Sequence, residues 1–128
     1  MKKILISDPV HIKSVDILSL SGFEVDYKPG IPVDEIKNII KNYNALIVRS
    51  ETKVNAELIS LMDKMEVIGR AGAGVDNIDV NAATRKGIIV MNAPGGNTIS
   101  AAEHTIALIL AMCRNIPQAD NSVKNGKW

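Results

Sequence analysis

The sequence holds a single cysteine, Cys113, so no disulfide can form within the chain, and a reducing compartment is implied. Cys113 falls in an apolar helical run and reads as a packed residue rather than a reactive one. Charge of one sign is missing as well: Lys plus Arg number 15 against 14 for Asp plus Glu, a net charge of +1. That balance leaves no electrostatic footprint for nucleic acid or for an anionic membrane. Long apolar runs are also absent, since residues 106–113 form the longest, far short of the roughly 20 residues that cross a bilayer. The start, "MKKILISDPVH", is basic but meets Asp8 too early for a signal peptide, so it reads as a first strand. No internal repeat or low-complexity tract is present, and no metal site is expected. A soluble, cytoplasmic chain is the expectation.

What the sequence has is apolar content, 46% of 128 residues, which is one domain's length with enough material for a core. Short apolar runs at 3–7, 23–28, 45–50, 66–71 and 88–93 predict strands, several of them apolar on both faces as in covered parallel sheets. Between them, helices are expected near 11–20, 33–42, 55–63 and 79–86. Gly22 and Gly87 supply stop signals, Pro32 suits a first turn, and Asp79 suits a cap. Successive βα units predict an α/β fold: a flavodoxin-like, doubly wound parallel five-stranded sheet of order 2-1-3-4-5. In such sheets ligands gather at the carboxyl ends of the strands, here residues 7–10, 49–52, 71–77 and 92–98.

The next helix differs. Ser100 and Glu103 have the spacing of a capping box, and from Ile106 onward the helix is apolar almost all round. Such a face needs another domain or subunit. Pro117 is expected to stop the helix, leaving residues 118–128 as a polar tail, and a final Trp128 suggests a chain cut from a longer one. The expected division is residues 1–98, one domain, and residues 99–128, a linking helix with the start of another.

The stretch "GRAGAGVDNID" at 69–79 resembles a dinucleotide loop at first sight. The fingerprint needs G-x-G-x-x-G and an acid about 20 residues on. Gly72 and Gly74 fill the first positions, but Asn77 stands at the third and Asn92 where the acid belongs. Two readings stay open for the loop. The glycines serve either a tight turn needing positive φ, or a backbone nest in which the N–H groups of Gly72, Ala73 and Gly74 face an anion. Arg49 and Ser50 in "RSET", and Asn97 ahead of the long helix, add further anion-competent groups at the same sheet edge. A small dianionic ligand fits that combination.

Together, "ALIVRSETKV", the run from "VIGRAGAGVDNID" through "NAPGGNTISAAEHTIALILA", and the closing "GKW" closely resemble the NAD-dependent D-2-hydroxyacid dehydrogenases, in particular their phosphoglycerate-oxidising branch. The resemblance implies an oxidoreductase that interconverts 3-phosphoglycerate and 3-phosphohydroxypyruvate with NAD in serine biosynthesis. This chain would be most of its substrate-binding domain. By that resemblance Arg49, Ser50 and Asn97 hold the phosphate or polar end of the substrate. The backbone of Gly72, Ala73 and Gly74 holds the carboxylate, with Ala73 also close to the nicotinamide. The resemblance puts the dinucleotide loop and the catalytic His beyond residue 128, leaves this chain without a catalytic residue and inactive alone, and makes helix 100–116 a dimer contact crossing into a Rossmann domain. His104 reads instead as a residue of helix packing or solvent contact, His11 as a loop residue and Arg70 as an ion-pairing one. Other readings are a dehydrogenase for another small D-2-hydroxy acid, of glycerate or glyoxylate type, or a stand-alone flavodoxin-like binding or receiver module. A receiver wants an acidic cluster, an aspartate after strand three and a lysine after strand five; the chain offers Asp8, Arg49-Ser50 and Asn92.

Overall fold

The computed structural model describes residues 1–127; the expectation about Trp128 lies outside the described residues. The chain divides into two compact units, Met1–Pro94 and Gly95–Trp128. The first alternates strands and helices: β1 (Lys3–Ile6), α1 (Ile12–Leu20), β2 (Glu24–Tyr27), α2 (Val33–Ile39) with a 3-10 turn at Ile40–Asn42, β3 (Ala45–Val48), α3 (Ala56–Ser60), β4 (Val67–Arg70), α4 (Val80–Arg85) and β5 (Ile89–Asn92). All neighbouring strands pair in parallel, in the order β2-β1-β3-β4-β5, as the succession of βα units requires.

The local signals act as their chemistry dictates. The Asp79 carboxylate accepts the Ala82 N–H and caps α4, and Gly22 and Gly87 take positive φ just past the ends of α1 and α4. Pro32 stands at the N-cap of α2, one residue ahead of the helix proper. On one face of the sheet Leu5, Leu46, Val48 and Ile68 pack with Ile36 and Ile40, with Leu58 and Ile59 of α3, and with Ala82 and Ala83 of α4. Full burial of each large aliphatic side chain contributes about 1.5–3 kcal/mol, so this layer is the main support of the fold. On the other face the row Ile6, Ile47, Gly69 and Met91 runs across four strands, and Leu18 of α1 borders a cleft of ≈ 440 Å³ over Ile47, Gly69 and Met91.

A polar cluster braces the sheet away from its carboxyl edge. The Tyr43 hydroxyl donates to Asp26 at 2.5 Å, and Lys3 pairs with Glu24 at 2.9 Å and with Asp26 at 3.3 Å. Burial, and then the Asp26 carboxylate, push the Tyr43 phenol up to about 12. The same hydrogen bond from Tyr43, aided by Lys3, lowers the Asp26 carboxyl below its ordinary value.

The second unit corrects several expectations. Its first helix, α5, runs Thr98–Cys113 and starts two residues before the expected cap. Ser100 lies in the first turn and its hydroxyl donates to the Asn97 carbonyl, so no Ser100–Glu103 capping box forms. Gly95, at φ 81, makes the turn that lets the helix begin early. Residues read as a polar tail form a further helix, α6 (Ile116–Lys124), with Pro117 in its first turn rather than acting as a terminator. Asn115, at φ 51, separates the two helices. Cys113 is exposed instead of packed. Among the described residues no helix is long and apolar enough to cross a membrane.

Candidate anion-binding site

β1 runs directly into Ser7 and Asp8, each only 1% exposed. A buried carboxylate needs donors, and Asp8 finds them in the loop that follows β3. It accepts the N–H of Arg49 at 2.6 Å, of Glu51 at 3.1 Å and of Thr52 at 3.1 Å, together with the Thr52 hydroxyl. With the Thr52 proton committed to Asp8, the Ser7 hydroxyl donates to Thr52 Oγ1 at 2.9 Å. The loop therefore wraps around an anion belonging to the protein. Arg49 and Ser50 remain exposed. The Arg49 guanidinium makes one long hydrogen bond, to the Pro9 carbonyl at 3.4 Å, and borders a cleft of ≈ 410 Å³ with Pro9, Val10, His11 and Ala71.

The glycines after β4 serve neither purpose in full. Gly72 and Gly74 do not take positive φ, which removes the tight-turn reading. A Cβ on Gly72 would lie 2.6 Å from Arg70 Nη1, so the missing side chain there leaves room for that guanidinium, while one on Gly74 would lie 3.2 Å from Asp76 Oδ1. The Gly72 N–H turns back to the Arg70 carbonyl at 2.8 Å, so it is not one of the free donors. The N–H groups of Ala73 and Gly74 have no acceptor among the described residues. Their loop is pinned from β5, where the Ala93 N–H reaches the Gly72 carbonyl at 2.9 Å and Asn92 Nδ2 reaches the Ala73 carbonyl at 2.6 Å.

Asn77 joins the two loops. Its Nδ2 donates to the carbonyls of Arg49 and Thr52, each at 2.7 Å, and its Oδ1 accepts from Arg70 Nε at 3.2 Å. Arg70 also pairs with Asp76 at 3.5 Å, the structural role expected of it. Beyond Asn77 the backbones continue together, with Val54 N–H to the Asn77 carbonyl at 2.8 Å and Asp79 N–H to the Val54 carbonyl at 2.9 Å. The structure thus brings Arg49 and Ser50 into one braced assembly with Gly72, Ala73 and Gly74. Asn97 belongs to the second unit, where it precedes α5 with its carboxamide free of any hydrogen bond among the described residues.

Sequence reasoning missed Asp8, Thr52 and Asn77. In the sequence Asp8 stands out only as a receiver acid, and its engagement with the loop leaves it no such role; Asn77 stands out only as the residue in place of a third glycine. The available signal was a carboxylate directly after a buried strand, where only internal donors can satisfy it. The histidines take structural places: His11 caps α1 by accepting the Lys13 N–H at 3.2 Å, and His104 is exposed on α5.

The loop after β4 does not form a dinucleotide phosphate cradle. Such a cradle needs glycine turning directly into a helix, whereas α4 starts at Val80, after the Asn77 bridge and the Asp79 cap. What the chain presents is a set of anion donors: free N–H groups at Ala73 and Gly74, the Arg49 fork, and the Ser50 hydroxyl.

The chain is 54% identical over 126 residues to a D-3-phosphoglycerate dehydrogenase of Archaeoglobus fulgidus, covering 98% of this chain and 24% of the relative. It is 48% identical over its full length to the human D-3-phosphoglycerate dehydrogenase, of which it again covers 24%. The chain thus spans about a quarter of the length of these curated relatives. Among solved structures, the TT0316 protein of Thermus thermophilus matches with a TM-score of 0.87 and 30% identity, over 98% of this chain and 41% of that one. NAD-bound 3-phosphoglycerate dehydrogenase of Entamoeba histolytica matches with a TM-score of 0.74 and 34% identity, over 86% of this chain and 38% of that one. The family model described as D-isomer specific 2-hydroxyacid dehydrogenase, catalytic domain, covers residues 4–124, and the chain belongs to that family.

Proposed function

We propose that this chain is the substrate-binding part of an NAD-dependent D-3-phosphoglycerate dehydrogenase, which interconverts 3-phosphoglycerate and 3-phosphohydroxypyruvate. The observation that carries the reading is the pair of unpartnered N–H groups at Ala73 and Gly74, braced through Asn77 to the loop bearing Arg49 and Ser50. A carboxylate seats on the N–H groups, with Gly72 keeping side-chain bulk out of the loop. Arg49 and Ser50 take the phosphate or polar end, where a planar guanidinium and a neutral donor suit a phosphate better than a point charge does. The names of the relatives support the choice of acid.

The residues of this chain supply orientation and charge neutralisation, which matter because hydride transfer needs its two reactants held near contact. They do not hold the dinucleotide phosphates, and neither histidine is placed as a general base. Those groups belong to residues outside this chain, with Ala73 the one position here assigned next to the nicotinamide. We assign residues 1–98 to the substrate-binding domain and residues 99–128 to a linking helix and the start of the nucleotide-binding domain. We also assign α5 (Thr98–Cys113), which takes up most of the expected helix 100–116, to a homodimer contact, supported by exposed Ile106, Leu110 and Met112. We also propose a cytoplasmic setting without a nucleic-acid or membrane partner; the single cysteine and the balanced charge support that reading.

The test is nicotinamide absorbance during incubation of 3-phosphoglycerate and NAD with the full-length polypeptide and with this chain alone. Turnover by the former only is expected. Turnover by the chain alone, or a full-length enzyme that prefers unphosphorylated 2-hydroxy acids, would sink the reading.

A further inference from the structure

We propose that Asp8 is a positioning residue for the phosphate end of the substrate, acting through the backbone of residues 49–52; this rests on the function proposed above. Along that loop the N–H groups of Arg49, Glu51 and Thr52 turn inward to the Asp8 carboxylate. The Ser50 N–H does not join them and makes no hydrogen bond among the described residues, nor does the Ser50 hydroxyl. Inward donors are thus consumed by a built-in anion, while Ser50 and the Arg49 side chain are left for an external one. A loop that would otherwise collapse around its ligand is already shaped before the ligand arrives, and preorganised donors lose less on binding. Asn77 fixes the opposite side of the same loop by holding the carbonyls of Arg49 and Thr52. The arrangement carries an electrostatic cost, because a buried carboxylate beneath an anion site repels the ligand. Its donors offset that repulsion by spreading the charge over the loop.

Asp8→Asn separates these effects. It removes the negative charge, which by itself would strengthen anion binding, but it sets amide hydrogens against the N–H groups that Asp8 now receives. The measurement is kcat/KM for 3-phosphoglycerate divided by that for D-glycerate in the full-length enzyme, with the KM for NAD alongside. If Asp8 positions the loop, the ratio falls about tenfold, the equivalent of one charged hydrogen bond, while the KM for NAD holds. A ratio that rises would assign Asp8 to charge repulsion alone. A ratio that stays constant while both activities fall would make Asp8 a purely structural residue. Either result overturns the inference. Thr52→Val, which deletes the hydroxyl that donates to Asp8 and accepts from Ser7, gives the same readout if Asp8→Asn does not fold, with about a threefold fall expected. A wild-type enzyme that does not distinguish the two acids overturns the proposed function, and this inference with it. A discriminating enzyme whose variants keep the ratio overturns this inference alone.

Discussion

The guanidinium of Arg70 occupies the space that a side chain on Gly72 would need, with Nη1 2.6 Å from the position of a Cβ. Gly72→Ala must therefore displace Arg70 and strain its hydrogen bond to Asn77. A loss of about 1–2 kcal/mol is expected in urea unfolding, and the loss should shrink in an Arg70→Ala background because the displaced group is gone. Gly74→Ala meets only the exposed Asp76 carboxylate, which can swing aside, and should cost no more than about 0.5 kcal/mol.

Asn77 holds two loops at once, so its removal should loosen both. Asn77→Ala leaves the carbonyls of Arg49 and Thr52 without their donor and should destabilise the chain by about 2 kcal/mol. Hydrogen exchange should accelerate together across residues 49–54 and 71–79. Acceleration confined to one loop would contradict the bridge.

The phenol of Tyr43, raised to about 12 by burial and by Asp26, gives a pH signature. Because its folded value lies above the ordinary 10, its contribution to stability is complete below pH 10 and is lost as pH climbs toward about 12. A tyrosinate absorbance component near pH 12 should disappear in Tyr43→Phe. The lowered Asp26 carboxyl acts at the other end, with its contribution present above the ordinary carboxylate range and lost in acid.

Arg49 should matter to phosphorylated substrates and little to folding, since its side chain is exposed and makes only one long hydrogen bond. In the full-length enzyme Arg49→Ala should raise the KM for 3-phosphoglycerate about 10- to 100-fold, the worth of one charged contact, with the melting temperature unchanged. Arg49→Lys should recover only part, since an ammonium cannot form the planar fork.

Helix α5 should drive self-association. Ile106 and Leu110 stand one turn apart and are each 58% exposed, which makes a single charge there disruptive. Sedimentation should show a dimer or larger species for the chain and a shift toward monomer for Leu110→Asp. A monomeric wild-type chain at high concentration would count against the assignment.

The fold was legible because strands such as "ALIV" and "VIGR" are short apolar runs between clear stops, and buried parallel strands leave that mark whatever packs on them. Helix α6 was not legible, since Asn121, Ser122 and Asp120 favour turns locally and only the turn at Asn115 starts the helix. The site was half legible. Arg49 and the glycine loop announce themselves by type and spacing. Asp8 and Asn77 act on partners 25 to 44 residues away, through backbone groups that no side-chain pattern records.

The central claim is that residues 71–77 cradle a substrate carboxylate and not the phosphates of a dinucleotide. Amide-resolved NMR of the isotope-labelled chain, titrated separately with 3-phosphoglycerate and with NAD, tests it most directly. The account predicts saturable shifts at Ser50, Ala73 and Gly74 with phosphoglycerate, and none at Ser50 or Gly74 with NAD, whose nicotinamide is assigned next to Ala73 alone. Shifts at Ala73 and Gly74 produced by NAD, with phosphoglycerate silent, would contradict it.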